Sequence, residues 1–429
     1  MNSSTAICQL PSAPRILIRG VNWLGDAVMT TPALLRLREK FSAAHITLLT
    51  PEKLKDLWLN HPAVDDVISF ARGEGPLSVA QRIRVEAMKP FWESRPERIE
   101  AGRTAYRETA IRGKTLAQAV VNVVKRVSEK SFDAAQQGRV DLALVLPSSP
   151  RSAIDMWLAR IPRRIGYARP WRNFFLTQTV PPRAGVLRMQ KRSVAKIKKL
   201  ITQLPTSNSQ LPASAHQIHE YLHLAAALGA NPEPLSPQLF VSLDEIEAAK
   251  KKFRLEQITQ PVFGLNPGAE YGPAKRWPIE RFIAAAKEIQ HRTNCVWLVF
   301  GSKNDGPIAG QIESAIRNPQ SAIRNLVGQT SLRELMLLLK LCRILLTNDS
   351  GPMHVAAALG IPVVVPFGST SPELTGPGLP GDSRHRLLKS DAPCSPCFRR
   401  ECPIDFRCMN GISVERVVEA LLDAASFTR

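Results

Sequence analysis

The chain has 429 residues, 44% of them hydrophobic, which is enough apolar material for two or three packed domains. Its 24 glycines and 34 prolines are too few for a fibrous or wholly disordered chain. The formal charge of +20 favours anionic partners: phosphorylated substrates, an acidic membrane surface or nucleic acid.

In the first half of the chain, short aliphatic runs alternate with helical patterns. Strands are predicted at residues 15–19, 45–50, 66–70 and 141–146, and helices at residues 26–41 and 150–160. Strands that are apolar along their whole length are typical of a parallel sheet with helices on both faces. A charged segment with weak strand character, residues 71–130, is predicted to be a helical insertion.

The second half repeats this alternation. Strands are predicted at residues 261–266, 295–300, 343–348 and 361–366, with helices at residues 278–292 and 331–341 between them. Two successive βαβ series predict an α/β protein of two Rossmann-like, doubly wound domains. We place these domains at residues 1–235 and 236–429, and we expect the last helix, about 413–425, to pack back on the N-terminal domain.

The first motif, RGVNWLGDAVMTTP, follows the first strand and begins at Arg19. Ligands of open α/β sheets bind at this carboxyl edge of the strands. Asp26 stands near the start of the next helix, where it either caps the helix or presents a carboxylate to a ligand. The loop lacks the spacing GxGxxG, so the dinucleotide-binding fingerprint is absent.

The second motif, NPGAEYGPAKRWP, begins at Asn266, after the first strand of the second half. The cations of Lys275 and Arg276 suit a diphosphate, and Trp277 offers apolar cover or a stacking surface. The alternative is an ordinary exposed loop. Its position at the carboxyl end of a strand favours the functional interpretation.

The third motif, TNDSGPMHVAAALG, joins a strand to a helix that begins near Ser350. Small residues at a helix N-terminus leave the backbone N–H groups of Ser350 and Gly351 available to an anion. Asp349 repels phosphate and is better suited to sugar hydroxyls. His354 is either a structural helix residue or a hydrogen-bonding pocket residue.

Four cysteines near the C-terminus have the spacing C-x2-C-x4-C-x5-C: Cys394, Cys397, Cys402 and Cys408. They match a zinc site in number, but their spacing is not that of two zinc knuckles. We therefore predict no metal and interpret them as reduced or redox-active structural thiols.

Taken together, the three motifs resemble those of the ADP-heptose:lipopolysaccharide heptosyltransferases. The similarity extends to PSSPRSAIDMWLARIPRRIGY, residues 147–167, and to the cysteine segment. It implies a B-type glycosyltransferase fold, in which two Rossmann-like domains face each other across a cleft. The N-terminal half would bind the acceptor and the C-terminal half the ADP-sugar, and no metal or other cofactor would be required.

The resemblance also implies roles for individual residues. Asp26 corresponds to the general base and Lys275 to a diphosphate-binding lysine. The predicted donor contacts are Asn266, Lys275, Arg276, Asp349, Ser350, Gly351 and His354. The predicted acceptor contacts are Arg19, Asn22, Trp23, Arg163 and Arg164.

The implied reaction moves L-glycero-D-manno-heptose from ADP-heptose to the heptose of the lipopolysaccharide inner core, with inversion. Displacing a diphosphate needs one base for the acceptor proton and charge stabilisation for the leaving group. A related transferase that uses another nucleotide sugar or acceptor is the first alternative. A non-catalytic anion-binding protein is a distant one.

Charge distribution bears on the expected partners. Residues 156–219 contain no Asp or Glu, so they form either a solvated basic face or a docking surface. The implied partner is an anionic lipid A–core acceptor at the inner face of the cytoplasmic membrane. No nucleic acid is expected, because no nucleic-acid-binding signature is present. Without a signal peptide or a membrane-spanning run, we expect a cytoplasmic monomer that is at most peripheral to the inner membrane.

Overall fold

The computed structural model describes residues 10–87, 139–187, 189–202, 211–316 and 322–426. It divides the chain into two compact units: Met1–Gly20, Phe41–Glu52 and Val64–Pro181 form the first, and Val21–Lys40, Lys53–Ala63 and Pro182–Arg429 the second. Helix α1 (Leu24–Lys40) thus belongs to the second unit, although it follows the first strand of the chain. The domain boundary at residue 235 remains a prediction.

The first unit is built on a six-stranded parallel sheet. Its strands are β1 (Arg15–Arg19), β2 (His45–Pro51), β3 (Asp66–Phe70), β4 (Leu142–Val145), β5 (Arg163–Tyr167) and β6 (Gln178–Val180). Their spatial order is β3-β2-β1-β4-β5-β6, so the winding direction reverses between β1 and β4. The four predicted strands are confirmed, whereas β5 and β6 escaped prediction because their sequences, RRIGY and QTV, are more polar.

Helices α2 (Pro76–Glu86) and α3 (Pro150–Leu158) pack on this sheet. The N-cap of α3 is Ser149, whose side chain accepts a hydrogen bond from the backbone N–H of Ser152. Ile83 of α2 and Met156 of α3 are buried in one core with the sheet. Helix α2 lies inside the predicted insertion, and residues 88–130 of that insertion are outside the described part of the chain.

The second unit contains the other parallel sheet. Its strands are β7 (Val262–Asn266), β8 (Val296–Val299), β9 (Ile323–Asn325), β10 (Ile344–Thr347), β11 (Val363–Phe367) and β12 (Arg386–Lys389). The spatial order β12-β11-β10-β7-β8-β9 reverses its winding between β7 and β10. The prediction of an α/β protein with two parallel, doubly wound sheets is therefore confirmed.

The other α-helices of the described residues belong to the second unit. After α1 they are α4 (Val194–Leu200), α5 (Ile218–Ala226), α6 (Leu243–Lys252), α7 (Ile279–Thr293), α8 (Gly306–Ile316), α9 (Leu332–Leu341), α10 (Gly351–Ala358), α11 (Pro372–Thr375), α12 (Arg407–Asn410) and α13 (Val414–Ser426). Capping boxes begin α6, at Ser242 and Glu245, and α9, at Ser331 and Glu334. Within the described ranges, every helix is too short or too polar to cross a bilayer.

The last helix, α13, packs within the second unit. Its apolar face, including Val417 and Leu421, is buried in the same core as Phe282 of α7 and Trp297 of β8. Helix α13 therefore packs on α7 and on the second sheet, and its expected contact with the N-terminal domain stays a prediction. One amphipathic helix has a single apolar face to bury, and here the second sheet covers it.

Candidate active site

The second and third motifs meet where the second sheet reverses its winding. Strand β7 ends at Asn266, strand β10 ends at Thr347, and these two residues are partners in the parallel pairing of the strands. In open α/β sheets, the loops that leave such a reversal point diverge and open a ligand-binding crevice. The second and third motifs, which are far apart in the sequence, therefore lie next to each other at one edge of the sheet.

Buried amide side chains fasten the two loops together. The Nδ2 atom of Asn266 donates hydrogen bonds to Thr347 Oγ1 at 2.9 Å and to Ser350 Oγ at 3.1 Å. Asn348 donates from Nδ2 to the carbonyl of Pro267 at 2.7 Å and accepts from the backbone N–H of Trp277 at 2.9 Å. Because these buried polar groups are paired with one another, the loop geometry is fixed by the fold.

A cavity of about 430 Å³ opens beside these loops. Its walls combine polar and apolar side chains, among them Asn266, Arg276, Ser302, Leu332, Leu335 and Ser350. The N-cap of α10 is Ser350, whose side chain makes no capping hydrogen bond, so the first turn of α10 faces the cavity with its own N–H groups. A helix N-terminus, an arginine and an apolar wall suit a phosphorylated ligand of nucleotide size.

Lys275 and Asp349 form an ion pair next to this helix N-terminus. The Lys275 Nζ atom lies 2.6 Å from Asp349 Oδ2, and the side chains are 13% and 4% exposed. The Thr370 hydroxyl donates to the same Asp349 oxygen at 2.5 Å. The ammonium also lies 4.8 Å from the ring centroid of Tyr271. Lys275 and Thr370 thus hold the Asp349 carboxylate in place beside the start of α10.

Arg276 is the second cation of the motif. Its guanidinium lies 3.8 Å from Asp305 and donates a long hydrogen bond of 3.4 Å to the carbonyl of Ala269. Both contacts are long, so the guanidinium keeps hydrogen-bonding capacity toward the cavity that it lines.

Asp26 is the third residue of α1, not its N-cap, so the capping interpretation is wrong. Its partly buried carboxylate accepts a hydrogen bond from Gln217 Nε2 at 3.3 Å. Burial raises the pKa of Asp26 to about 6, while the hydrogen bond from Gln217 and the charge of Lys275 act in the opposite direction. A carboxylate with this pKa is mostly ionised at pH 7 and is basic enough to accept a proton.

The start of α10 packs tightly against the start of α1. A Cβ atom on Gly25 would lie 2.7 Å from His354 Cδ2, and one on Gly351 would lie 2.7 Å from Leu24 Cδ2. Burial lowers the pKa of His354 to about 4, so its imidazole is neutral at pH 7. Its buried Nδ1 atom has no hydrogen-bond partner among the described residues. The two glycines therefore bring Asp26, His354 and Asp349 into one neighbourhood.

Known proteins are similar to this chain in sequence. The family described as glycosyltransferase family 9 (heptosyltransferase) matches residues 202–406. Lipopolysaccharide heptosyltransferase 2 of Salmonella typhimurium is 29% identical over 371 residues, which cover 85% of each chain. The chain is similar to the heptosyltransferases of glycosyltransferase family 9.

Solved structures agree with this assignment. The structure of Escherichia coli ADP-heptose lps heptosyltransferase II is 25% identical and superposes with a TM-score of 0.65, covering 96% of this chain and 99% of that chain. A family 9 glycosyltransferase of Veillonella parvula has the same fold at 19% identity, with a TM-score of 0.67 and coverage of 98% and 99%. The predicted B-type glycosyltransferase fold class is confirmed, and the protein is a glycosyltransferase.

Of the predicted acceptor contacts, two stand just before α1, a few residues from Asp26. Asn22 is exposed, and Trp23 is 49% exposed with the ammonium of Lys53 5.1 Å from its ring. These side chains are available to an acceptor, and their contact with it stays a prediction.

The predicted arginines of the first unit differ from these two. Arg19 is buried, lies 3.4 Å from Asp155 and stacks on Phe70, so here it is a structural residue rather than an exposed acceptor contact. Arg164 donates to the backbone carbonyl of Phe175 at 2.7 Å and thereby fixes the loop after β5. Arg163 is partly buried at the start of β5, and its acceptor role stays a prediction.

Trp277 also differs from its prediction. Its indole is buried in the core, donates to the carbonyl of Ile412 at 3.1 Å and packs edge-on against Phe282 at 5.2 Å. Trp277 therefore anchors the Lys275 loop to the core and offers no stacking surface to a ligand.

The cysteine cluster carries reduced thiols. Cys394, Cys397 and Cys408 are buried, and Cys402 is partly buried. Burial raises the pKa of Cys408 to about 12, which keeps that side chain a thiol. In the described part of the chain, no group of three or more His, Cys, Asp or Glu side chains is arranged to hold a metal ion.

Sequence reasoning missed three side chains of the site: Gln217, Thr370 and Asn348. Gln217 precedes α5, and its side chain contacts Asp26 of α1, which stands 191 positions earlier in the chain. No sequence pattern signals such a contact. Asn348 and Thr370 are different, because each stands at or just after the carboxyl end of a predicted strand. Polar residues at these positions often belong to the binding site, so this signal could have found them.

Proposed function

We propose that this enzyme transfers L-glycero-D-manno-heptose from ADP-heptose to the heptose of the lipopolysaccharide inner core, with inversion. One observation carries the proposal. The carboxylate of Asp26, with a pKa of about 6, lies within electrostatic reach of Lys275, which pairs with Asp349 at the N-terminus of α10.

The cavity supports an ADP-sugar as the donor. Its volume of about 430 Å³ and its mixed walls suit a nucleotide. The diphosphate would lie at the N-terminus of α10, where the N–H groups of Gly351 and the cations of Lys275 and Arg276 balance its charge. The heptose would lie toward Asp349 and the neutral imidazole of His354, both of which can bind hydroxyl groups.

The chemistry of the site supports a single displacement. Asp26 removes the proton of the acceptor hydroxyl as that oxygen attacks the anomeric carbon, and the bond from this carbon to the diphosphate breaks on the opposite face. Lys275 and the N-terminus of α10 stabilise the charge that develops on the leaving ADP. One displacement inverts the configuration of the anomeric carbon and requires no metal.

The relatives named heptosyltransferase 2 favour a heptose acceptor, at 29% identity over 85% of the chain. Asn22 and Trp23 would contact it, since they lie just before α1, the helix that carries Asp26. We propose that the enzyme acts in the cytoplasm, as a monomer, on a lipid-linked core at the inner face of the membrane. A different core position or nucleotide sugar is the remaining alternative.

A donor and acceptor panel tests this function. Purified enzyme is mixed with ADP-heptose and core lipids that end either in heptose or in the preceding sugar acid, and ADP release and product mass are measured. We expect turnover only with the heptose-ended lipid, and undiminished turnover in EDTA. Turnover with another nucleotide sugar, or only with the sugar-acid-ended lipid, would replace the proposed donor or acceptor. No turnover with any pair would overturn the proposal.

A further inference from the structure

The loop after β5 in the first unit exposes large aromatic side chains. We call residues 168–177 the aromatic loop. In it Trp171 is 90% exposed and Phe174 is 77% exposed. The Phe174 ring lies 5.3 Å from that of Phe175, which in turn lies 5.6 Å from the ring of Trp157, itself 42% exposed on α3. A cluster of exposed aromatic side chains on a folded protein commonly marks an interaction site.

The fold holds this loop in place. Arg172, next to Trp171, is fully buried and donates to the carbonyls of Tyr167 at 3.0 Å and Val145 at 3.1 Å. A Cβ atom on Gly166 would lie 2.7 Å from the Arg172 guanidinium, so the glycine makes room for it. Trp171 has a φ of 62°, a conformation that bulky residues rarely adopt. The exposure of Trp171 is therefore imposed by its buried neighbour and is not that of a loose loop.

The chain segment that carries the aromatic loop has charges of one sign. Residues 156–181 contain five arginines and no Asp, Glu or Lys. Arg160, which follows α3, is exposed, and Arg169, two residues before Trp171, is partly exposed. Arginine binds phosphate oxygens through a planar fork of donors. The surface therefore combines an apolar tip with an anion-binding rim.

We propose that the aromatic loop docks the enzyme on an anionic lipid bilayer, with Trp171 and Phe174 inserted at the interface and Arg160 and Arg169 on lipid phosphates. A side chain that is 90% exposed projects from the surface. A lipid bilayer can deform around such a side chain and bury it, whereas a protein partner would need a matching pocket. Tryptophan prefers this interfacial depth, and arginines add attraction to anionic headgroups. This inference is independent of the proposed reaction.

Vesicle co-sedimentation tests the docking. The full-length enzyme is mixed with vesicles of phosphatidylcholine alone or with about one third phosphatidylglycerol. We expect binding to the anionic vesicles that falls about tenfold in the double variant Trp171→Asn, Phe174→Ser, because the inserted area is lost. Asparagine at position 171 tolerates the positive φ. The double variant Arg160→Gln, Arg169→Gln should lose its preference for anionic vesicles.

Matched controls come from the same unit. Leu77 is 71% exposed on α2, and Arg72 is exposed shortly before it. Leu77→Ser and Arg72→Gln should bind vesicles like the wild type, and circular dichroism should show that every variant is folded. Lipids brominated on their acyl chains should quench the wild-type tryptophan emission more than that of the Trp171 variant. Equal binding by the wild type and the aromatic variant would overturn the proposal, as would absence of vesicle binding or preferential binding to single-stranded nucleic acid.

Discussion

The side-chain amide of Gln217 donates a hydrogen bond to the carboxylate of Asp26 at 3.3 Å. The same nitrogen donates to the hydroxyl of Tyr221 at 2.9 Å, so both of its protons are used. Burial makes the ionised form of Asp26 costly, and Gln217 and Lys275 partly offset that cost. The result is a carboxylate whose pKa is raised only to about 6, which leaves it ionised near neutral pH.

The variant Gln217→Leu should move the acid limb of the kcat profile to higher pH. Without the hydrogen bond, the charged form of Asp26 loses support and its pKa rises further. We expect roughly a fivefold loss of kcat at pH 6 and less than a twofold loss at pH 8.5. Tyr221→Phe is the control, because it removes the other acceptor of the amide and leaves Asp26 paired. An equal loss at all pH values would show that Gln217 acts only through structure.

The stability of the fold should depend on the Asp26 charge. The folded-state pKa of about 6 lies above the unfolded value of 3.8, so Asp26 loses its proton more easily when unfolded, and stability falls as the pH rises between these values. Two pKa units correspond to about 3 kcal/mol. Asp26→Asn should thus raise the free energy of unfolding by up to about 3 kcal/mol at pH 8 and by less at pH 4.5.

Urea unfolding at the two pH values measures this effect. Asp391→Asn, which changes an exposed carboxylate of the same unit, should leave the profile unchanged. A variant Asp26→Asn that is no more stable than the wild type at pH 8 would contradict the burial of this charge.

The Lys275–Asp349 pair should show strong coupling. Removing the ammonium in Lys275→Met leaves the buried Asp349 carboxylate without its counter-charge, which should cost about 3 kcal/mol of stability. The double variant with Asp349→Asn should recover at least half of this loss. Lys53→Met is the control, because its pair with Glu270 is exposed and 3.9 Å long and should contribute less than about 1 kcal/mol. Additive effects of the two substitutions would refute the coupling.

Gly25→Ala should destabilise the protein although it removes a glycine from a helix. Its new methyl group would meet His354 at 2.7 Å, and such overpacking costs about 1–3 kcal/mol. Gly310→Ala is the matched control. Gly310 lies inside α8 with nothing within 4 Å of its added Cβ, so this substitution should stabilise the helix by up to about 1 kcal/mol. Calorimetric Tm values compare the two, and a stabilised Gly25→Ala would contradict the close packing of α1 and α10.

Much of the fold was predictable because central parallel strands are buried on both faces. Such strands, for example β4 and β10, are apolar along their whole length and are therefore easily predicted from the sequence. The strands β6, β9 and β12 lie at sheet edges, where one side is unpaired and polar residues are tolerated, so their sequences gave no such signal. The helix α13 was predicted, but its packing on α7 and the second sheet could not be read from the sequence, because an apolar face does not specify what covers it.

The site was predictable in part, since ligand-binding residues of open α/β sheets follow strand ends. This rule indicated Asn266, Asp349 and the region of Asp26. It could not distinguish the buried Trp277 from an exposed one, because the carbonyl that accepts from the indole N–H belongs to Ile412, 135 positions away in the chain. It also could not find Gln217, which precedes a helix rather than following a strand.

The central claim is that Asp26 removes the acceptor proton, and the turnover of Asp26→Asn tests it most directly. ADP release from ADP-heptose is measured at pH 8 with a heptose-ended core lipid, alongside the Kd for ADP. We predict a fall in kcat of about two to four decades, because that is the usual contribution of a positioned base, with an unchanged Kd. A kcat within about tenfold of the wild type would contradict the account, because a general base cannot be dispensable.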